Sequence, residues 1–301
     1  MSRRIVVATR KSELALAQCR AWIAELVGLH PGLEVEELHV VTTGDRITDR
    51  PLAEIGGKGL FLKEIEEALV DGRADLAVHS MKDVPPELHP ALTIGCVPER
   101  EDPRDVLVSR TGVPLAGLPA GTRIGTSSLR RAVQARQVNP QVEVVPLRGN
   151  VGTRIRKCRE GIVDAVLLAR AGINRLGLGH EVTEDLAPEL LLPAVGQGAL
   201  AIEHRAEDDE LRELLAPLQH HDTLITVEAE RGVMATVEGD CKTPVAAFAL
   251  RDGDQLWLRG LLAAPDGTQL RRAETRVPWP HASTDAGRIG RELGARLVAG
   301  A

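Results

Sequence analysis

Short apolar runs alternate with amphipathic stretches through the first two thirds of the chain, and the pattern changes in the last third. Runs at 4–8, 34–41, 75–79 and 92–97 have strand length and strand composition. Between the first two, Ser12 is a good helix N-cap, and Ala15, Cys19, Trp22, Ile23 and Leu26 share one helical face. A second series predicts strands at 123–125, 142–147 and 164–169 with helices between them. This alternation points to mostly parallel sheets with helices on their faces. The segments 98–104 and 192–198 interrupt the two series and read as crossings, which makes two α/β lobes a hinged pair around a cleft. From 223 to 238 a helix is expected. Strands follow at 245–251, 256–262 and 270–277, separated by the turns Asp252-Gly253 and Pro265-Asp266-Gly267, and a last helix starts near Ser283. This third part reads as a small α+β domain with a three-stranded antiparallel sheet.

Composition narrows the class. The 301 residues are 43% hydrophobic, which suits a globular protein with packed cores. No apolar run approaches the roughly 18–20 residues of a membrane span. The first residues lead straight into a strand without the layout of a signal peptide, so a cytoplasmic protein is expected. Two Phe, three Trp and no Tyr argue against single-stranded nucleic-acid binding by base stacking. The net charge of −6 argues against duplex binding. The four cysteines, Cys19, Cys96, Cys158 and Cys241, fit no zinc spacing and no CxxC, so no metal site is expected. The first three sit in helix or strand patterns and read as small buried hydrophobes.

Within this acidic chain, cations recur where folding gives no reason for them. In Gly125-Thr126-Ser127-Ser128-Leu129-Arg130-Arg131, a serine caps a helix and two arginines fall in its first turn. The positive end of the helix dipole disfavours each by about 0.3–1 kcal/mol, whereas a bound anion would explain both. Arg10 precedes the Ser12 cap, Lys58 lies among Gly56, Gly57 and Gly59, Arg148 ends a strand, Arg154 opens a helix and Arg175 follows another strand. Phosphate loops of the GxxxxGK[ST] type and a GxGxxG after the first strand are missing. Arginine forks suit carboxylates, so a molecule with several carboxylates is favoured over a nucleotide.

Among these cations stands one acid. His79-Ser80-Met81-Lys82-Asp83-Val84-Pro85 follows an apolar strand and ends it, which is where ligands bind in open α/β sheets. Asp83 and Lys82 are therefore candidate ligand-site residues, and His79 reads as structural. Cys241 lies between a helix and a strand, beside Asp240 and Lys242, as a candidate nucleophile. No histidine is placed as its base, and the pair His220-His221 reads as capping.

Taken in order, these segments resemble the porphobilinogen deaminase (hydroxymethylbilane synthase) family almost end to end. The resemblance rests on Ala8-Thr9-Arg10-Lys11-Ser12, on Gly56-Gly57-Lys58-Gly59-Leu60-Phe61, on the Asp83 segment, and on Glu99-Arg100-Glu101-Asp102-Pro103-Arg104-Asp105. It continues through 125–131, Leu147-Arg148-Gly149-Asn150, 192–198 and the Cys241 loop. The resemblance implies two periplasmic-binding-protein-like lobes, 1–98 with 198–216 and 99–197, and a cofactor-attachment domain over 217–301. It implies a dipyrromethane cofactor held by a thioether to Cys241, on which four porphobilinogens are joined head to tail with loss of ammonia before water releases hydroxymethylbilane. Arg10, Ser12, Lys82, Thr126, Ser128, Arg130, Arg131, Arg148, Arg154 and Arg175 match cofactor- and substrate-binding positions. Lys58 and Phe61 match an active-site loop, and Asp83 matches the catalytic aspartate. The partners implied are porphobilinogen and the growing oligopyrrole, bound by a monomer.

Two departures from the family pattern stand out. Glu54 replaces a common Lys, and Asp240 replaces a common Gly before the cysteine. The alternative to an enzyme is a non-enzymatic solute-binding module for a small organic polyanion, which two lobes and a cationic cleft would also suit.

Overall fold

The computed structural model describes residues 4–46, 62–237 and 243–300. The chain forms two compact units, Met1–Glu101 with Ala199–Leu224, and Asp102–Gly198 with Ile225–Ala301. The first unit opens with β1 (Arg4–Arg10), α1 (Glu13–Leu29), β2 (Glu34–Val40), the short α2 (Thr43–Arg46), α3 (Lys63–Val70), β3 (Leu76–Ser80) and β4 (Leu92–Cys96). The second contributes β5 (Asp105–Ser109), β6 (Arg123–Gly125), α4 (Leu129–Val138), β7 (Glu143–Val145), α5 (Val151–Arg159), β8 (Ala165–Ala169), α6 (Arg170–Arg175) and β9 (Glu184–Leu186). The chain returns to the first unit for β10 (Leu200–Arg205) and α7 (Asp209–Leu215). It ends with α8 (His221–Thr236), β11 (Val245–Asp252), β12 (Gln255–Leu262), β13 (Arg271–Pro278) and α9 (Ser283–Ala299).

The first sheet has the order β2-β1-β3-β10-β4, and the second β7-β6-β8-β5-β9. Both are covered on two faces, which the period of two along each strand makes possible. Ile5 and Val7 of β1 join α1 residues Cys19, Trp22 and Leu26 in one core, whereas Ala8 packs with Ile65 and Leu69 of α3 in another. In β8, Ala165 and Leu167 face the α4 side, and Val166 and Leu168 face Ile155 and Cys158 of α5. Cys19, Cys96 and Cys158 are buried free thiols, as expected, and burial pushes Cys19 and Cys96 up to about 12.

The α/β class with a small antiparallel α+β part is what the structure has, with one difference. The sheets are half antiparallel. β10 runs antiparallel to both β3 and β4, and β5 runs antiparallel to both β8 and β9. The patterning misses β10 because its apolar run is broken by Glu203 and His204, both buried. The β10–β4 register shifts between Ile202 and Glu203, opposite Gly95, where a Cβ would run into the His204 imidazole. Burial holds that imidazole below its ordinary pKa.

The last part forms the sheet β11-β12-β13, all antiparallel. Asp252 pairs with Gln255, so the tight turn is Gly253-Asp254, one residue later than the pattern suggests, with Gly253 at φ +60°. α8 and α9 cover one face through Ile225, Ala229, Val233, Leu293 and Leu297. Buried Glu230 on α8 accepts from Gly196 N at 2.7 Å and Ala249 N at 2.9 Å, tying β11 to the 192–198 segment.

Candidate active site

In the first unit, β1 and β3 are parallel neighbours, with Val7 opposite Leu76 and Ala8 opposite Ala77. Their carboxyl ends therefore present Arg10 to Ser12 and Ser80 to Asp83 at the same edge of the sheet. Ser80 and the buried Gln18 of α1 exchange hydrogen bonds: Gln18 Nε2 donates at 3.0 Å and Ser80 Oγ donates back to Oε1 at 3.2 Å. Met81 is buried, and its N–H donates to Ala199 O at 3.0 Å. The 3-10 turn Met81–Asp83 is thus anchored at its start, and Lys82 and Asp83 are exposed. Among the described residues, none is hydrogen-bonded or ion-paired to the Asp83 carboxylate. His79, just before the turn, lies 3.0 Å from Glu203, both buried, in the structural role expected of it.

Arg10 and Ser12 hold partners within the protein. Arg10 grips Asp45 with two nitrogens, Nε at 3.1 Å and Nη2 on the other oxygen. Burial would raise the Asp45 carboxyl, but Arg10 and the Thr42 hydroxyl together hold it below the usual range. Ser12 is the N-cap of α1 and accepts from Ala15 N at 3.2 Å.

The second unit repeats this logic at three parallel strand ends. β6, β7 and β8 are joined with β6 in the centre, and their carboxyl ends lead into 126–131, 146–154 and 170–175. Thr126 is buried and its hydroxyl accepts from Ser128 N at 3.1 Å; Ser128 in turn caps α4, accepting from Arg131 N at 3.4 Å. Ser127 Oγ donates to Leu147 O at 3.0 Å, joining the β6 and β7 loops. Asn150 caps α5, so Arg154 is its fourth residue rather than its first. Arg154 Nε donates to Gly149 O at 2.7 Å, and Lys157 Nζ donates to Arg148 O at 3.1 Å. Arg175 Nη2 donates to Gly198 O at 2.8 Å.

Arg130 and Arg131 lie in the first turn of α4, as the sequence suggests, but the expectation that folding gives no reason for them is corrected. Asp105, the first residue of β5 and fully buried, takes both. Arg130 donates to its two oxygens at 2.6 and 3.2 Å, and Arg131 donates through Nε at 2.9 Å and Nη2 at 2.8 Å. Burial alone would raise the Asp105 carboxyl; the two guanidiniums outweigh it and hold it well below the carboxylate range. Asp105 lies inside the quoted 99–105 motif, but an acid that opens a strand has no chemistry legible from spacing.

Beside this pair, arginines also act on one another. Burial pulls the half-buried Arg154 down to about 10, and the charges that add to this are those of Arg131 and Arg148, both of its own sign. Cations gathered in this way cost folding energy and fit a ligand with several carboxylates, as a dipyrromethane bearing acetate and propionate groups would be. The remaining expected site residues, Lys58, Phe61 and Cys241, and the departures Glu54 and Asp240, lie outside the described residues.

Residues 5–213 match the family described as porphobilinogen deaminase, dipyromethane cofactor binding domain, and residues 224–299 match porphobilinogen deaminase, C-terminal domain. The porphobilinogen deaminase of Sorangium cellulosum is 58% identical over 300 residues, covering 100% of both chains. That of Syntrophobacter fumaroxidans is 51% identical over 299 residues, covering 99% of this chain and 96% of the relative. Among solved structures, the probable amino-acid ABC transporter extracellular-binding protein ytmK from Bacillus subtilis aligns with 72% of this chain and 90% of its own, at 12% identity and a TM-score of 0.45. The chain belongs to the porphobilinogen deaminase family.

Proposed function

We propose that the chain joins four porphobilinogens head to tail, with loss of ammonia, and that the strand-end residues divide the work between carboxylate binding and charge stabilisation. Arg131 and Arg148 lie close enough to Arg154 for their charges to act on it, and this grouping is the observation that carries the reading, since it suits a polyanion. Family membership favours the enzyme over a non-catalytic solute-binding module.

When bound, the dipyrromethane supplies the terminal pyrrole to whose free α-carbon each new unit is joined. Cys241 would hold it through a thioether, a bond that persists when water releases the linear tetrapyrrole. Arg131, Arg148, Arg154 and Arg175, with the Thr126 and Ser128 hydroxyls, would orient acetate and propionate groups; Arg10, Ser12 and Lys82 match cofactor- and substrate-binding positions of the family and are assigned the same task. Arg130 would support this set from behind. Lys58 and Phe61 are assigned to the active-site loop on the family resemblance alone.

Asp83 has a different task. Loss of ammonia and attack by the α-carbon place positive charge on pyrrole nitrogens. A carboxylate with no partner among the described residues would stabilise that charge and assist transfer of the α-proton. The division of the chain into lobes 1–98 with 198–216 and 99–197, and an attachment domain 217–301, belongs to this reading. So does a cytoplasmic monomer acting without nucleic acid or membrane; no helix among the described residues is long and apolar enough to cross one.

Intact mass of the purified protein, combined with the Ehrlich colour reaction, tests the reading. An adduct of dipyrromethane size and a positive colour are expected, both lost in Cys241→Ser. Active protein with neither would overturn it.

A further inference from the structure

Asp105 is the least exposed charged group in the second unit's cation cluster, and its hydrogen bonds are unequal. Arg130 gives it both Nη nitrogens, and Arg130 Nη1 also donates to Leu192 O at 2.8 Å. Arg131 gives it only Nε and Nη2, so Arg131 Nη1 takes no part. Gln197 Nε2 donates to Asp105 Oδ1 at 3.0 Å and is itself fixed by Pro103 O at 2.7 Å. The carboxylate is therefore held by a side-chain amide anchored on the backbone as well as by its arginines.

We propose that Asp105 is a positioning residue for the anion site: it immobilises Arg130 as a support and holds Arg131 by one edge, leaving the outer Nη1 to face a pyrrole carboxylate alongside Arg154. A flexible arginine would lose side-chain entropy on each binding event; one clamped by a buried acid has already lost it. The acid also reduces the net charge of the trio to one. That limits the repulsion Arg154 experiences and keeps the site assembled before an anion arrives. Gln197 fixes the acid's orientation in turn.

This inference rests on the functional reading above, and the experiment separates the two. Wild type, Asp105→Asn, Asp105→Glu and Gln197→Met are compared as full-length holoenzymes for adduct mass, melting temperature, kcat and KM for porphobilinogen. In adduct-bearing Asp105→Asn, KM should rise about tenfold or more with a smaller change in kcat, as expected for a lost charge-assisted clamp. Asp105→Glu should recover part of that loss. Gln197→Met keeps the charge and removes an amide that also serves Pro103 O and Arg104 O, so a KM raised by about two- to fivefold should come with a modest fall in melting temperature. Wild-type KM in Asp105→Asn with a lowered melting temperature would make the acid a stability residue only and overturn the proposal. If Asp105→Asn does not fold, wild-type KM in Gln197→Met overturns it. Failure of the functional reading shows separately, as wild-type protein with neither adduct nor turnover.

Discussion

Gly290 on α9 lies against Ala229 on α8 so closely that a Cβ at 290 would run into the Ala229 carbonyl oxygen and stand 2.9 Å from Gly232 Cα. Gly232 answers from α8, where a Cβ would run into the Gly287 carbonyl oxygen. The two helices therefore touch backbone to backbone, as only glycine permits. α8 leads through Val237 toward the segment that carries Cys241. Gly290→Ala should force the helices apart at a cost of about 1–3 kcal/mol, read as a shift in denaturant midpoint, and should lower the fraction carrying the adduct. Gly179→Ala is the control: nothing lies within 4 Å of a Cβ there, and a change within about 0.5 kcal/mol is expected. Equal shifts in the two variants would refute the close-packing argument.

Asp83 is exposed, and among the described residues its carboxylate has no hydrogen bond or ion pair, so Asp83→Asn removes a charge that folding does not use. Stability should change by less than about 0.5 kcal/mol. Turnover should fall by about 10²–10⁴-fold, the range of a lost acid–base group, while the dipyrromethane adduct remains visible by mass. Near-normal kcat in the adduct-bearing variant would take Asp83 out of the chemistry.

What could be read from sequence follows from which interactions are local. Ser12 and Ser128 are helix caps, each bonded to a backbone N–H three residues on, and both were legible. His220 likewise caps α8, with Thr223 Oγ1 at 2.7 Å from Nδ1. Most strands were legible too, to within a residue or two at most ends, although β5 and β9 were missed. β10 was also missed, because Glu203 is a buried carboxylate whose partner, His79, lies 124 residues away. Asp105 and Asp45 were missed for the same reason: each meets its arginine 25 or more residues along the chain, at the end of another strand. The cations were conspicuous because they stood where a helix dipole disfavours them. Their balancing acids occupy unremarkable positions, and only the sheet order brings them together.

Acid should expose the Asp105 cluster. Its folded-state pKa is depressed, so its contribution to stability is fully present above the unfolded value of about 3.9 and is lost as pH falls below it. Asp105→Asn strands two buried guanidiniums and should cost about 3–5 kcal/mol near neutrality. The melting-temperature gap between wild type and this variant should therefore be constant from neutrality down to pH about 5 and narrow below about 4. A gap that instead widens toward acid would mean that the carboxylate is not the charged partner the geometry requires.

Arg154 offers the sharpest separation of stability from function. It is half-buried, and the neighbouring charges of Arg131 and Arg148 disfavour its own. Gln in its place could still reach Gly149 O, and the repulsion would be gone. In protein kept free of adduct by Cys241→Ser, Arg154→Gln should therefore raise the melting temperature or leave it unchanged. In the adduct-bearing protein the same substitution should lower kcat/KM by about tenfold or more, the loss expected for one arginine–carboxylate pair. Opposite signs for stability and activity are the mark of a residue held against its own preference for the sake of a ligand. A variant that loses stability without adduct and retains kcat/KM with it would show that Arg154 serves the fold, and the cation cluster would then need another explanation.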